Sequence, residues 1–253
     1  MKKQIDGVID YKTAAFVDFH THILPQADDG SHSAEQSLDM LRTLREQGVR
    51  TVVATPHFYV NMECPEDFLY GRDNATERLV KAARDCGMEL PHVCLGAEVP
   101  YFSGIGGSRA LSSLCIVGTH TILIEMPSKK WSDAVIDEII RIKRVDGFGV
   151  VIAHIERYAE YQSRKVLDRL SSEGIVFQLN CEAFYRFVFK RFAFRMLRGE
   201  NKILLGTDCH DMDLRKPDMS RAIEAITGKA GFETVEGIMR TGEALLRDAK
   251  FIL

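Results

Sequence analysis

Two histidines one residue apart, placed at the end of a short apolar run, constrain this chain more than any other feature. The segment Phe16–His22 has the sequence FVDFHTH. In an extended strand, residues i and i+2 point to the same face, so His20 and His22 can hold one ion together from a strand end. Neutral imidazole is the commonest side-chain metal ligand. Taken alone, the pair also fits two polar histidines on the solvent face of a strand.

Short apolar runs rich in β-branched residues alternate with longer segments of helical period. Seven runs predict strands: Ala15–Phe19, Arg50–Thr55, His92–Ala97, Thr121–Ile124, Gly149–Ala153, Ile175–Asn180 and Lys202–Thr207. The alternation is typical of βα units and a parallel sheet. No linker or change in composition interrupts the 253 residues, so we predict one domain over residues 1–253.

Helices are predicted between these strands. Ser33 and Gln36 resemble a capping box at the start of the first helix, and Gly48 fits the position after its end. The later predictions are Asn74–Cys86, a short helix at Arg109–Leu114, Ser132–Val145, Arg164–Glu173, Phe189–Leu197, and Ser220–Asp248 with a break at Gly228–Gly231.

Six of the seven predicted strands end in a side chain of a type that binds metals. These residues are His20 with His22, His57, Glu98, Glu125, His154, and Asp208 with His210. Catalytic residues of α/β barrels lie at the C-terminal strand ends, where residues distant in sequence meet. Each position alone has an ordinary explanation, such as a hydrogen-bonded core histidine. Their shared position predicts a TIM-like (β/α) barrel with one metal site at that end.

Charge and cysteine usage exclude several classes of function. The net charge of −3 and the pI near 6.3 argue against a nucleic-acid partner held by bulk charge. No run of 18 apolar residues is present, so no membrane insertion is expected. Six cysteines without paired spacing indicate reduced thiols, and therefore a cytoplasmic location.

The number of candidate ligands points to more than one ion. Five histidines and several carboxylates exceed the three protein ligands of a single catalytic zinc. Clustered divalent ions bind phosphate oxygens and lower the pKa of bound water in phosphoryl transfer. Arg157 follows His154 and Arg215 follows His210, and arginine suits bidentate phosphate recognition. Either arginine alone could instead form a surface salt bridge.

Seven short segments together resemble a known family. Four resemble the motifs of the polymerase-and-histidinol-phosphatase (PHP) metal hydrolases: Asp18–His22, Thr55–His57, Gly96–Glu98 and Asp208–His210. Three resemble one branch of it, the manganese-dependent tyrosine-protein phosphatases of bacterial capsule and exopolysaccharide loci: Asp28–Gly30, Leu123–Pro127 and Ala153–Arg157. The resemblance extends from about Phe16 to Leu246.

The resemblance implies a distorted seven-stranded barrel with a three-metal site. The implied ligands are His20, His22, Asp29, His57, Glu98, Glu125, His154, Asp208 and His210, with Glu98 bridging two ions. The choice of Asp29 over Asp28 rests on the resemblance alone. Manganese is the expected metal, as two to three ions, with zinc, iron or magnesium as alternatives. Arg157 and Arg215 would hold the phosphate while a hydroxide bridging the metals attacks phosphorus without a phosphoenzyme.

The implied activity is a protein-tyrosine phosphatase whose partner is a phosphotyrosine protein, expected to be a bacterial tyrosine kinase controlling capsule or exopolysaccharide synthesis. Alternatives remain open within metal chemistry: a histidinol-phosphatase-like small-molecule phosphoesterase, an amidohydrolase-like enzyme or nuclease, and a non-catalytic metal-binding regulator. The spacing from Cys209 to Arg215 also fits the C-x5-R loop of cysteine-dependent phosphatases. Asp211 and Asp213 would place negative charge beside a phosphate there, which disfavours that mechanism. Residues 58–70 and 181–187 match no pattern.

Overall fold

Two parallel sheets form the centre of a mixed α/β fold. The computed structural model describes residues 4–5, 8–87, 89–108 and 110–253, so part of the predicted domain over residues 1–253 lies outside the described residues. Strands β1 (Gln4–Ile5) and β2 (Val8–Ile9) form a short antiparallel pair. Eight strands follow: β3 (Phe16–Thr21), β4 (Val49–Ala54), β5 (His92–Leu95), β6 (Glu98–Pro100), β7 (Thr121–Glu125), β8 (Gly149–Ile152), β9 (Val176–Asn180) and β10 (Ile203–Gly206). The sheet orders are β3-β4-β5 and β6-β7-β8-β9-β10.

The two sheets meet near the C-terminal ends of β3, β4 and β10 and at the start of β6, where Glu98 lies. Thr21 forms an isolated parallel bridge with Cys209, and His57 forms another with Glu98. The backbone N–H of His22 donates to the carbonyl oxygen of Cys209 at 2.9 Å. These contacts bring the ends of strands from both sheets into one region.

The described residues form eight parallel strands where the sequence predicted seven. The predicted strand His92–Ala97 ends early, and the chain changes sheets at Gly96. β5 pairs with β4, whereas β6 begins at Glu98 and pairs with β7. A Cβ atom at Gly96 would lie 3.2 Å from a side-chain carbon of Ile116, so a small residue lets the chain pass between the sheets.

The described residues form seven α-helices beside the sheets. They are α1 (Ala34–Glu46), α2 (Pro65–Cys86), α3 (Asp133–Arg144), α4 (Arg164–Ser172), α5 (Phe187–Leu197), α6 (Met219–Ala230) and α7 (Phe232–Leu245). Most predicted helices are confirmed within a few residues. The side chain of Ser33 accepts from the N–H of Gln36 as predicted, and Gly231 at φ 83° separates α6 from α7.

Two helix predictions differ from the structure. α2 begins at Pro65 rather than Asn74, because proline at the first turn and two acidic residues after it favour a helix start there. The predicted short helix Arg109–Leu114 is a single 3₁₀ turn at Leu111–Leu114, and Arg109 lies outside the described residues. Among the described helices, none combines the length and apolar character needed to cross a bilayer.

The inner strands carry polar side chains that are buried and therefore need partners. β3 and β9 are buried at every position, as expected of parallel strands covered on both faces. Asp18 in β3 accepts hydrogen bonds from the N–H of Thr207 at 2.9 Å and from its hydroxyl at 2.6 Å. Burial raises the pKa of Asp18 to about 6. This pair joins the first strand of one sheet to the last strand of the other.

Replacing Gly206 should destabilise the protein by overpacking this junction. A Cβ at Gly206 would lie 2.5 Å from Cβ of His20 and 2.8 Å from Nε2 of Gln178. We expect Gly206→Ala to lower the free energy of unfolding by about 1–3 kcal/mol, measured by urea titration. Gly228→Ala is the control, since its Cβ would meet no atom of the described residues within 4 Å and alanine favours a helix interior. Equal stability of the two variants would contradict the close packing.

Candidate metal centre

The side chains at the strand ends converge on the buried carboxylate of Glu98. Its Oε1 lies 2.7 Å from Nε2 of His154. Its Oε2 lies 3.1 Å from Nε2 of His20, 3.3 Å from Nε2 of His22 and 3.2 Å from Nδ1 of His57. Four ring nitrogens from different parts of the chain therefore surround one carboxylate.

Eight of the nine predicted ligands fall into three overlapping groups whose donor atoms lie within 4.8 Å of one another. The groups are His22, Asp29, His57 and His210; His20, His22, Glu98 and Asp208; and His57, Glu98 and Glu125. The ninth, His154, contacts Glu98 and lies 3.6 Å from Glu125 Oε1. All nine predicted positions are thus brought together, and groups that share members suit ions that share ligands.

The loop after β3 folds back and gives its two aspartates different roles. Asp28 Oδ2 lies 2.6 Å from Nδ1 of His22 and accepts the backbone N–H of His57 at 2.9 Å. Asp29 Oδ1 lies 3.5 Å from Nε2 of His210. A Cβ at Gly30 would lie 2.3 Å from the carbonyl oxygen of His22, so glycine is required for this close approach. Asp28 therefore orients a ring, whereas Asp29 faces the donor nitrogens.

The tautomers of His20 and His22 indicate a cation between them. Gln178 Oε1 accepts the backbone N–H of His154, and it lies 3.0 Å from Nδ1 of His20. Asp28 is the acceptor beside Nδ1 of His22. Neutral rings that donate from Nδ1 carry a lone pair on Nε2, and the two Nε2 atoms are 3.1 Å apart. Two lone pairs at this distance suit one shared cation, so this arrangement fits a metal ion.

His210 provides a second sign that the site fits a metal. Its Nε2 is buried and has no hydrogen-bond partner among the described residues, while its Nδ1 lies 3.0 Å from the carbonyl oxygen of Asp208. A buried polar atom without a partner is costly, and buried polar groups are rarely left so. A metal ion held with Asp29 would satisfy this nitrogen.

The protonation states favour metal binding at several positions. Burial raises the pKa of Glu98 and of Asp208, but the charge of His20 and hydrogen bonds from nearby histidines lower both well below their usual range. Burial lowers the pKa of His154, and it lowers that of His210 to about 4. Ionised carboxylates and neutral imidazoles are the forms that bind divalent ions.

Two predicted ligands sit in backbone conformations that side chains rarely adopt. His154 has φ 30° and Asp208 has φ 54°. Such residues cost about 1–3 kcal/mol each and persist only where their surroundings fix them. The N–H of His154 donates to Gln178 Oε1 at 2.7 Å, and the N–H of Asp208 donates to the carbonyl oxygen of His20 at 2.8 Å. These bonds hold both side chains toward the cluster.

β9 contributes an amide pair that the sequence reasoning missed. Gln178 Nε2 donates to Asn180 Oδ1 at 2.8 Å, and Asn180 Nδ2 donates to Asp208 Oδ2 at 2.9 Å. Since Gln178 also contacts His20, the pair links two predicted ligands. The available signal was two polar residues with period two in a run that is otherwise apolar. The predicted strand Ile175–Asn180, which corresponds to β9, was the one predicted strand without a metal ligand at its end.

Both predicted arginines contact the same carboxylate. Arg157 Nη2 lies 2.5 Å from Asp208 Oδ2, and Arg215 Nη2 lies 2.7 Å from Asp208 Oδ1. Arg157 lies in a 3₁₀ turn that begins after His154, and Asp211 Oδ1 accepts three backbone N–H groups of residues 213–215 to close the second loop. The arginine side chains are 37% and 39% exposed, so both stand at the solvent edge of a buried cluster.

The cysteine of the C-x5-R segment is not placed as a nucleophile. Cys209 is completely buried, and burial raises the pKa of its thiol well above the usual range. A reactive cysteine needs the thiolate form and solvent access. The cysteine-dependent mechanism is therefore disfavoured by the environment of the sulfur.

Comparisons with known proteins identify the family of the chain. The family model for capsular polysaccharide synthesis proteins CpsB/CapC matches residues 16–247. The tyrosine-protein phosphatase YwqE of Bacillus subtilis is 27% identical over 240 residues, which cover 92% of each chain. The tyrosine-protein phosphatase CpsB of Streptococcus agalactiae serotype III is 27% identical over 251 residues, covering 94% of this chain and 98% of that protein.

Solved structures give the same result. One from the work on YwqE of Bacillus subtilis and CpsB of Streptococcus pneumoniae, described as metal-dependent tyrosine phosphatases, has a TM-score of 0.78 and 25% identity, and covers 92% of this chain and 95% of that one. A TatD-like protein from Archaeoglobus fulgidus has a TM-score of 0.52 at 13% identity, covers 92% of this chain and 100% of that one, and shows the fold alone. The family predicted from the motifs is confirmed.

Metal binding should strengthen with pH, because protons compete for the same nitrogens. Burial lowers the pKa of His20 and His22, but nearby carboxylates, Asp208 and Glu98 among them, raise both above the usual value. Protons and metal ions therefore compete for these ring nitrogens. We expect the affinity for Mn²⁺ to rise about tenfold per pH unit for each proton released, measured by calorimetry in buffers of different ionisation enthalpy.

Two histidine variants test this prediction, one at a proposed ligand and one as its control. His22→Ala should lose at least one equivalent of bound metal. His92→Ala should bind like the wild type, because His92 is exposed at the start of β5, the end of the strand away from the cluster. Affinity that did not change between about pH 6 and pH 8 would contradict histidine ligation.

Proposed function

The chain belongs to the CpsB/CapC family of capsular polysaccharide synthesis proteins, and from this membership and the metal centre we propose that it is a metal-dependent protein-tyrosine phosphatase. The observation that carries the proposal is the position of two arginines at the edge of three overlapping groups of metal-binding side chains. The clustered donors suit divalent ions, and the arginines suit the oxygens of a phosphate monoester.

The proposed ligands are the eight residues predicted from the strand ends together with Asp29, which the family resemblance implies, and Glu98 is shared between ions. Manganese in two to three copies is our preferred assignment from the family resemblance, and the carboxylate donors suit it. When bound, such ions screen the charge of phosphoryl oxygens and lower the pKa of water. Asp28 and Gln178 hold the rings of His22 and His20 in the tautomers that leave Nε2 free.

The arginines have a separate task, which is to bind the phosphate itself. Without substrate, Arg157 and Arg215 share the carboxylate of Asp208. A phosphate that enters at the solvent edge offers them a second acceptor, and charge-assisted bonds of this type are short and strong. Such bonds strengthen as charge shifts in the transition state, so the clamp acts on the chemical step as well as on binding.

A tyrosine phosphate suits this site because of its leaving group. Phenolate is a much better leaving group than a serine alkoxide, since the phenol has a pKa of about 10, so no strong general acid is needed.

The target we propose is a phosphotyrosine protein, specifically a tyrosine kinase of a capsule or exopolysaccharide locus. The cytoplasmic location expected from the cysteine pattern stays a prediction. We also propose that the two sheets are an opened, distorted barrel, supported by the bridges that join them.

Variants of Cys209 and of the metal ligands should distinguish the metal-dependent mechanism from the cysteine-dependent one. Cys209→Ser should keep most of the activity on p-nitrophenyl phosphate, because this thiol is buried and protonated. His20→Ala and Asp208→Ala should lose nearly all of it. Activity is measured as steady-state rates with added Mn²⁺. Metal analysis and circular dichroism check whether each variant keeps its metal and its fold. Loss of activity in Cys209→Ser with fold and metal intact would restore the thiolate mechanism.

Removing either arginine should slow catalysis without removing metal. We expect Arg157→Ala and Arg215→Ala each to lower kcat/KM for aryl phosphates by about ten- to a thousandfold, since each loses charge-assisted bonds to the phosphate. Lysine at either position should rescue only partly, because it lacks the planar fork of arginine.

Four substrates complete the test of the proposed function: p-nitrophenyl phosphate, a phosphotyrosine peptide, the matching phosphoserine peptide and histidinol phosphate. Phosphotyrosine should exceed phosphoserine in kcat/KM. Histidinol phosphate as much the best substrate would overturn the assignment to a protein phosphatase. Wild-type rates in both arginine variants would remove their role as a phosphate clamp.

A further inference from the structure

A pocket of about 660 Å³ opens beside the metal centre and contains residues with no assigned role. Asp208, Arg157 and Arg215 lie at one end of it. Its walls come from residues 181–189, which follow β9 and begin α5, and from residues 214–221, which follow β10. The first of these segments includes residues 181–187, for which the sequence predicted no function. The pocket is therefore continuous with the place where the phosphate would bind.

The pocket is basic although the chain as a whole is acidic. Five basic side chains line it against three acidic ones, while the chain carries a net charge of −3. The basic residues are Arg157, Arg186, Arg215, Lys216 and Arg221. Concave surfaces lined by one sign of charge concentrate ligands of the opposite sign. This distribution points to an anionic partner larger than the phosphate alone.

The acidic side chains of the pocket already have partners, so positive charge is left over. Glu182 pairs with Arg186 at 3.2 Å, and Asp218 pairs with Arg221 at 3.3 Å. Lys216 is exposed and has no acidic side chain within 4.0 Å in the described part of the chain. Arg186 is also 61% exposed despite its partner. Lys216 and Arg186 can therefore reach charges that approach from solvent.

Aromatic and aliphatic side chains complete the surface. The guanidinium carbon of Arg221 lies 4.0 Å from the centre of the Tyr185 ring, which fixes that part of the wall. Leu214 lines the pocket and is 93% exposed, and Phe187, which follows the lining residue Arg186 in the chain, is 95% exposed. Both offer apolar surface to a partner that extends beyond the pocket. A small phosphorylated metabolite would have no use for them.

We propose that this pocket and its rim bind the polypeptide around the phosphotyrosine, with Lys216 and Arg186 contacting acidic residues that flank it and Phe187 and Leu214 contacting its apolar atoms. The inference rests on the proposed phosphatase function and adds its substrate preference: phosphotyrosine in an acidic sequence. Arg157 and Arg215 hold the phosphate, while the outer basic residues act only on the flanking chain.

An anionic bilayer is the other surface that basic and aromatic side chains bind, and the geometry favours the peptide. Membrane-binding segments present their basic and apolar side chains on one face that lies along the interface. Here the basic side chains line the walls of a concavity that leads to Asp208. A peptide can enter that concavity with its phosphate directed at the metal centre, whereas a flat bilayer cannot.

The test uses the manganese-loaded full chain and three phosphotyrosine peptides that differ only in their flanking residues, which are glutamate, glutamine or lysine. For each peptide, kcat/KM is divided by the value for p-nitrophenyl phosphate. We expect the glutamate peptide to exceed the lysine peptide by about tenfold at low salt. The preference should shrink as ionic strength rises, because exposed charges are screened.

Three variants locate the effect. Lys216→Glu should lower the ratio of glutamate to lysine peptide about three- to tenfold, mainly through KM. Phe187→Ser should lower kcat/KM for all three peptides relative to p-nitrophenyl phosphate. Lys202→Glu makes the same charge change at the start of β10, the end of that strand away from Asp208, and should leave the ratio unchanged.

The outcomes separate the two proposals. This inference is overturned if all peptides are hydrolysed with no preference for their flanking residues. It is also overturned if the ratio of glutamate to lysine peptide is the same in Lys216→Glu as in Lys202→Glu. Either result leaves the phosphatase function standing. Failure to hydrolyse any phosphotyrosine peptide overturns both. The protein could instead sediment with phosphatidylserine vesicles and lose this binding in Phe187→Ser, with no change in peptide kinetics. That result would assign the surface to a membrane and also overturn the inference.

Discussion

The buried carboxylate of Glu98 is the constraint on which the centre of this molecule depends. An ionised carboxylate taken out of water costs several kcal/mol unless partners offset the loss. Here the partners are His20, His22, His57 and His154, which come from both sheets. Imidazoles offset a negative charge only when they carry protons or share a metal ion with it. The strand ends can therefore gather around Glu98 only if protons or metal ions gather with them, so the fold and the charge balance of the site depend on each other.

The surroundings of the cluster are built to hold it before substrate arrives. His154 and Asp208 keep left-handed backbone conformations because Gln178 and the carbonyl oxygen of His20 hold their N–H groups. Asn180 continues the same network to Asp208. The cost of this strain and polarity is offset by sheets buried on both faces. Rings and carboxylates fixed in this way lose little freedom on binding metal, which raises affinity.

Much of this could be predicted from sequence, because parallel strands with short C-terminal loops bring their ends together whatever lies between them. All nine predicted ligand positions lie in one cluster of overlapping groups that includes Glu98. The change of sheet at Gly96 could not be predicted, since it depends on how close Ile116 comes. The amide of Gln178 was missed because a polar residue in a buried strand shows its partner only when the fold is known. Residues 181–187 gave no signal because exposure, which distinguishes Phe187, depends on packing.

Selection among phosphotyrosine sequences must come from outside the metal centre. Its ligands contact only the phosphate, which is the same group on every phosphotyrosine peptide. The completely buried His20 and His22 and the half-exposed arginines place that group below the surface. A phosphate carried on a phenol ring reaches further from its backbone than one carried on serine. The depth of the phosphate site thus favours phosphotyrosine over phosphoserine. The pocket walls above the metal centre contact only the polypeptide that carries the phosphotyrosine. Chemistry and recognition are divided between a rigid interior built on strands and an exposed rim built on the segments that follow β9 and β10.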